Sequence, residues 1–224
     1  ATEPTCWHLG PEAEWHGFGN IEPGYCMLDP IKVSVLTPGM DPSGDLRAVG
    51  IPASVVTAYL AARGIIVEKT TDFTILFLFS LGVTKGKWGT LVNALLDFRK
   101  DYDANVPLER AIPGLVASHG DRYGGMGLRE LADLMFAAMG DLATTRTMSE
   151  AFSILPKPEL SPVSAYENLV RGHTEKVQLN ELAGRTLATG IVPYPPGIPL
   201  MMPGENAGPA DGALIGYLKA LEAY

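Results

Sequence analysis

At 224 residues, 46% of them hydrophobic, the chain can bury a substantial core, and its net charge of −8 excludes a binder of phosphate backbones. Its 25 glycines and 18 prolines are scattered rather than repeated, which describes a loop-rich globular protein and not a low-complexity one. No apolar run has the length of a membrane span and no secretory signal pattern opens the chain, so it reads as soluble, acidic and cytoplasmic, with no nucleic-acid or membrane partner.

The first residues, "ATEPTCWHLG", lack an initiator methionine, and the last helix stops without a cap. Both ends are expected to be cuts in a longer polypeptide. Cys6 and Cys26 have neither metal-ligand spacing nor a framework pattern and read as two reduced thiols. The run "MLDPIKVSVLTPGM" (27–40) alternates like a strand and closes on a turn at Pro38 and Gly39. "DPSGD" (41–45) is loop. "IPASVVTAYLAARG" (51–64) predicts a helix with Val55, Val56, Tyr59 and Leu60 on one face and Gly64 as its stop. "IIVEKT" (65–70) and "FTILFLFSLG" (73–82) predict two strands, the second apolar on both sides and so expected in a covered sheet.

"TKGKWGTLVNALLDFRKDYD" (84–103) is the clearest helix, with Trp88, Leu91, Val92, Leu95 and Tyr102 at helical spacing. After Asp103 the texture changes. Residues 104–127 look irregular, 128–140 is an amphipathic helix, and "SPVSAYENLVRG" (161–172) carries Ser161 as N-cap, Pro162 at the first helical position and Gly172 past the end. The stretch "IVPYPPGIPLMMPGE" (191–205) holds five prolines and two glycines among large apolar residues. It cannot be a helix or central strand, and it is too apolar for a flexible linker. It reads as a structural strap in which proline lowers the entropy lost on ordering, and Glu205 is expected to make a structural hydrogen bond or ion pair. A final helix follows, with Leu214, Tyr217, Leu218 and Leu221 on one face. The fold class is therefore α+β. Residues 1–103 form a small unit with a helix-covered sheet, residues 104–224 a mixed, loop-rich α/β unit, and the boundary lies near 103–110.

Self-sufficient catalytic chemistry is hard to find. "GVTKGKWGT" (82–90) lacks the glycine spacing and the hydroxyl after lysine that a phosphate-binding loop needs, and reads instead as a turn placing Trp88 in the core. His8, His16, His119 and His173 have no metal-ligand spacing, and there is no nucleophile elbow. "WHGFGN" (15–20) could line a site or pack over a sheet edge. Glu68, following three apolar residues, could be a partly buried acid with a specific partner or a solvated edge-strand glutamate.

Four runs, "MLDPIKVSVLTPGM", "GIPASVVTAYLAARGIIVEKT", "FLFSLGVTKGKWGTLVNALLDFRKDYD" and "VPYPPGIPLMMPGE", resemble the C-terminal part of the bacterial pyridoxal-phosphate-dependent ornithine/lysine/arginine decarboxylases, of fold type I. "WHGF", "MLDPIKVS", "TTDF" and "GKWGTLVN" look most like the biodegradative, acid-inducible arginine decarboxylases. The resemblance implies an aminotransferase-like small subdomain up to about residue 103, followed by a truncated decarboxylase C-terminal domain. It implies a reaction in which arginine gives agmatine and carbon dioxide while consuming a proton, serving acid resistance, with lysine or ornithine as alternative substrates. The family's cofactor lysine follows a histidine, and none of the eight lysines here does, so the fragment alone is expected to bind no pyridoxal 5'-phosphate and to be inactive. Its catalytic lysine lies upstream, and its partners are the rest of the polypeptide and further copies, dimers building a decamer. The acidic surface would repel at neutral pH, and protonation would promote that assembly. This chain's share is to wall the site and orient the substrate's distal cation, with Glu68, Trp15 and His16 as substrate-proximal candidates. A non-catalytic interaction module that docks onto a decarboxylase or another partner is the rival reading.

Overall fold

The structure, a computed structural model, describes residues 7–19, 21–24, 26–41, 45–194 and 197–224. Cys6, Asn20 of "WHGFGN", residues 42–44 of the "DPSGD" loop, and Pro195 and Pro196 of the strap lie outside the described residues. Cys26 is a free, half-buried thiol.

An α+β fold is what forms. Three strands, β1 (Lys32–Leu36), β2 (Lys69–Thr70) and β3 (Thr74–Leu78), make an antiparallel sheet in the order β1-β3-β2. The register sets Val33 opposite Phe77, Val35 opposite Ile75 and Lys69 opposite Leu76. Burial is one-sided, which corrects the covered sheet expected from β3's composition. Ile75 and Phe77 are buried, Thr74 and Leu76 are half-buried, and Leu78 and every residue of β1 are exposed.

The strand expected at 65–70 is only two residues long. Ile65 N–H bonds back to Leu60 O, closing the preceding helix, so the chain crosses that helix end before Glu68 N–H reaches Leu76 O at 2.9 Å. Ile65 and Val67 pack on the core beneath, and Ile66 is left exposed.

Helix α1 (Ala53–Ala61) buries the expected face of Val55, Val56, Tyr59 and Leu60 against the sheet and α2 (Lys85–Asp103). Thr84 caps α2 by accepting from Lys87 N–H. Phe98 and Ala94 are the buried contacts of α2, with Leu91, Leu95 and Tyr102 half-buried. Trp88 is not in the core: it is 53% exposed and stacks on Phe79 with ring centroids 5.9 Å apart. The reason is that residues 85–90 are all exposed, so the first turn of α2 overhangs the packed region.

The stretch expected to be irregular folds into three short helices, α3 (Leu108–Ala111), α4 (Pro113–Ser118) and α5 (Gly120–Tyr123), before α6 (Leu128–Asp141). Each is shorter than the window over which a helical period can be seen. Gly127 heads α6 and has no side chain with which to cap it. Asn105, in the left-handed region at φ 48°, supplies the cap instead, its Oδ1 accepting from Arg129 N–H at 2.9 Å and Glu130 N–H at 3.2 Å. A β-carbon on Gly127 would stand 2.2 Å from that oxygen. Replacing Asn105 with Ala is expected to cost about 1–2 kcal/mol, the loss typical of a cap. Chemical denaturation would reveal it, and an unchanged midpoint would assign the cap to water.

Leu108, Ala111, Leu128, Leu131 and Ala132 share one core with α1, β3 and Phe98, so packing runs without a break from Ala53 to Ala132. A second core joins α7 (Thr144–Phe152) and α9 (Ala213–Ala223) with Leu187, Leu200 and Met201. On α9 the buried set is Leu214, Ile215, Tyr217 and Ala220, whereas Leu221 is exposed. Phe73, Phe136 and Met139 form a small buried cluster of their own, joined by half-buried Met40. Helix α8 (Pro162–Val170) has Ser161 as its N-cap, as expected, and mostly exposed sides.

The strap is a backbone stitch. Residues 201–208 bond on one side to 157–160 and on the other to 184–191: Asn206 N–H to Lys157 O, Leu187 N–H to Glu205 O, Ala207 N–H to Arg185 O. Leu200 and Met201 are buried, but Val192, Ile198 and Met202 remain about half exposed, so only part of its apolar surface serves as anchor. Glu205 makes the structural bond expected of it, accepting from Met202 N–H at 2.7 Å.

Candidate functional site

A cleft of about 600 Å³ lies where the two cores approach each other. One face of α1, from Pro52 and Ser54 to Ala61, forms one wall, residues 67–72 form a second, and Tyr217, Leu221 and Tyr224 of α9 and its end form the third. Met139 and Thr144 close its inner end, and Tyr194 of the strap stands at its rim, 75% exposed. Three short bonds hold the walls in place. Thr57 Oγ1 and Thr70 Oγ1 are 2.9 Å apart, Ala53 N–H donates to Asp72 O at 2.8 Å, and Thr74 N–H donates to Thr71 Oγ1 at 3.1 Å.

Electrostatically the cleft is acidic, with Glu68 and Asp72 against Lys69. Burial pushes the Asp72 carboxyl above the usual carboxylate range. The Tyr224 phenol is pushed up to about 12, first by burial and then by the Asp72 carboxylate, and Tyr217 shifts upward for the same two reasons. Thr144 is 5% exposed, and its hydroxyl has no hydrogen-bond partner among the described residues.

Glu68 lines this cleft and is solvent-exposed, not partly buried: only its backbone joins the sheet. Trp15 and His16 sit elsewhere, in a short 3-10 turn (Glu14–His16). Trp15 is 52% exposed and lines a separate pocket with His8 and Cys26. His16 is held by its neighbours, its Nε2 2.8 Å from Gly10 O and its Nδ1 accepting from Phe18 N–H at 3.0 Å, with the two rings stacked. The two pockets share no lining residue, so the three candidates are not brought into one site. Sequence reasoning named only Glu68 of the cleft. Asp72 carried a signal, an acid between Thr71 and Phe73 at a turn into a buried strand.

Lys69 is the one lysine of the cleft. Two carboxylates against one ammonium suit a cation and not a phosphate ester, so this cleft does not fit pyridoxal phosphate.

Comparison with known proteins matches two family models: the major domain of the Orn/Lys/Arg decarboxylases over residues 1–87, and their C-terminal domain over residues 145–224. This chain belongs to the Orn/Lys/Arg decarboxylase family. Among curated members, the biodegradative arginine decarboxylase of Escherichia coli is 46% identical over all of this chain and 30% of its own length. The lysine decarboxylase LdcA of Pseudomonas aeruginosa is 48% identical over 95% of this chain and 28% of its own length. The solved E. coli constitutive lysine decarboxylase superposes with a TM-score of 0.87 at 38% identity, covering 99% of this chain and 31% of that one. The chain thus spans about 30% of the length of the decarboxylases it matches. No helix among the described residues is long and apolar enough to cross a membrane.

Proposed function

We propose that the chain is the C-terminal portion of a cytoplasmic, pyridoxal-phosphate-dependent arginine decarboxylase that forms agmatine and carbon dioxide and consumes protons under acid stress. The observation that carries this reading is similarity, over the whole of this chain, to a biodegradative arginine decarboxylase, reinforced by "WHGF", "TTDF" and "GKWGTLVN". A lysine decarboxylase is the second reading, favoured by the 48% identity to the Pseudomonas enzyme. In either case the cofactor, when bound, supplies the electron sink for loss of carbon dioxide, and polypeptide outside this chain holds it.

Residues up to about 103 act as the aminotransferase-like small subdomain and those after about 110 as part of the C-terminal domain. The partners are the remaining polypeptide and further copies of the same chain, in dimers that build a decamer. The test is release of carbon dioxide by the full-length polypeptide with pyridoxal phosphate, on arginine, lysine and ornithine. Arginine is expected to give the highest kcat/KM and the 224-residue piece none. A higher kcat/KM on lysine would replace the first reading with the second.

Glu68 is the candidate for contacting the substrate's distal cation, with Trp15 and His16 as further ones. Its exposure at the rim of an acidic cleft supports that role. Glu68→Gln in the full-length enzyme is expected to lower kcat/KM about tenfold, the effect of losing one charge-assisted hydrogen bond. Unchanged kinetics remove Glu68 from the site.

A further inference from the structure

We draw no further inference here: the strongest candidate, the exposed apolar stripe of Val163, Tyr166 and Val170 along one face of α8, carries nothing because nothing in the structure shows what covers it.

Discussion

Replacing Gly204 with Ala is expected to destabilise the protein by roughly 3 kcal/mol, summing left-handed strain with a clash that the backbone must relieve. Gly204 has φ 90°, and a β-carbon there would stand 2.2 Å from Leu160 O and 2.9 Å from Leu160 C. Neither atom belongs to a flexible side chain, so the backbone itself must part. What it would part is the stitch: Gly204 O accepts from both Glu159 N–H and Leu160 N–H, and Gly204 N–H donates to Leu187 O at 2.7 Å. Loss of register there also loosens Leu200 and Met201 from the second core. Denaturant unfolding of the full-length polypeptide measures the change. A loss below about 1 kcal/mol would mean that the loop at Leu160 yields freely, contrary to its pairing.

Asp101→Ala is expected to cost about 2–4 kcal/mol, because one carboxylate serves both the buried Tyr59 phenol and the partly exposed Arg63 guanidinium. Tyr59 is 0% exposed and donates its hydroxyl to Asp101 Oδ2 at 2.7 Å. Arg63 lies 3.5 Å from the same oxygen, with its guanidinium carbon 3.2 Å from the Tyr59 ring centroid. Its Nη1 donates to Tyr59 O and to Ala111 O, so the cluster ties α1, α2 and α3 together. Asp101→Asn keeps an acceptor for the phenol and is expected to lose less than half as much. Burial first, and then the Asp101 hydrogen bond, raise the Tyr59 phenol above its ordinary range. The fold therefore favours the protonated phenol, so this contribution is intact below about pH 10 and is lost as pH rises through the higher folded value. Equal stability of the Ala and Asn variants across pH 6–9 would show that Asp101 is not the acceptor that matters.

Much of this was legible in the sequence, and the failures share a cause. Helices α1, α2, α6, α8 and α9 announced themselves because their apolar residues repeat over several turns, or because Ser161 and Pro162 mark an entrance. Helices α3 to α5 did not, since Pro113 and the glycines at 114, 120, 124 and 125 interrupt the pattern every few residues. Helix α7, "TTRTMSEAF", was hidden by its threonines, which favour other conformations until packing against α9 overrides them. Of the two readings open for Glu68, the solvated edge-strand glutamate is the one that forms: its side chain is exposed while its N–H bonds to Leu76 O. The cleft was illegible for a different reason: its walls come from residues 52–72, 139–144, 194 and 217–224, which only tertiary packing brings together.

The exposed strand β1 has a practical consequence for anyone handling this piece alone. It is an outer strand of the sheet, five residues long, with Val33, Val35 and Leu36 each about 40% exposed. Among the described residues no strand pairs with its outer edge, which sets backbone amides beside β-branched side chains, the arrangement that recruits a strand from another molecule. Solutions of the isolated chain should therefore turn cloudy with concentration and time. A lysine at Val33 or Val35, placing a charge on that edge, is the substitution that would keep them clear.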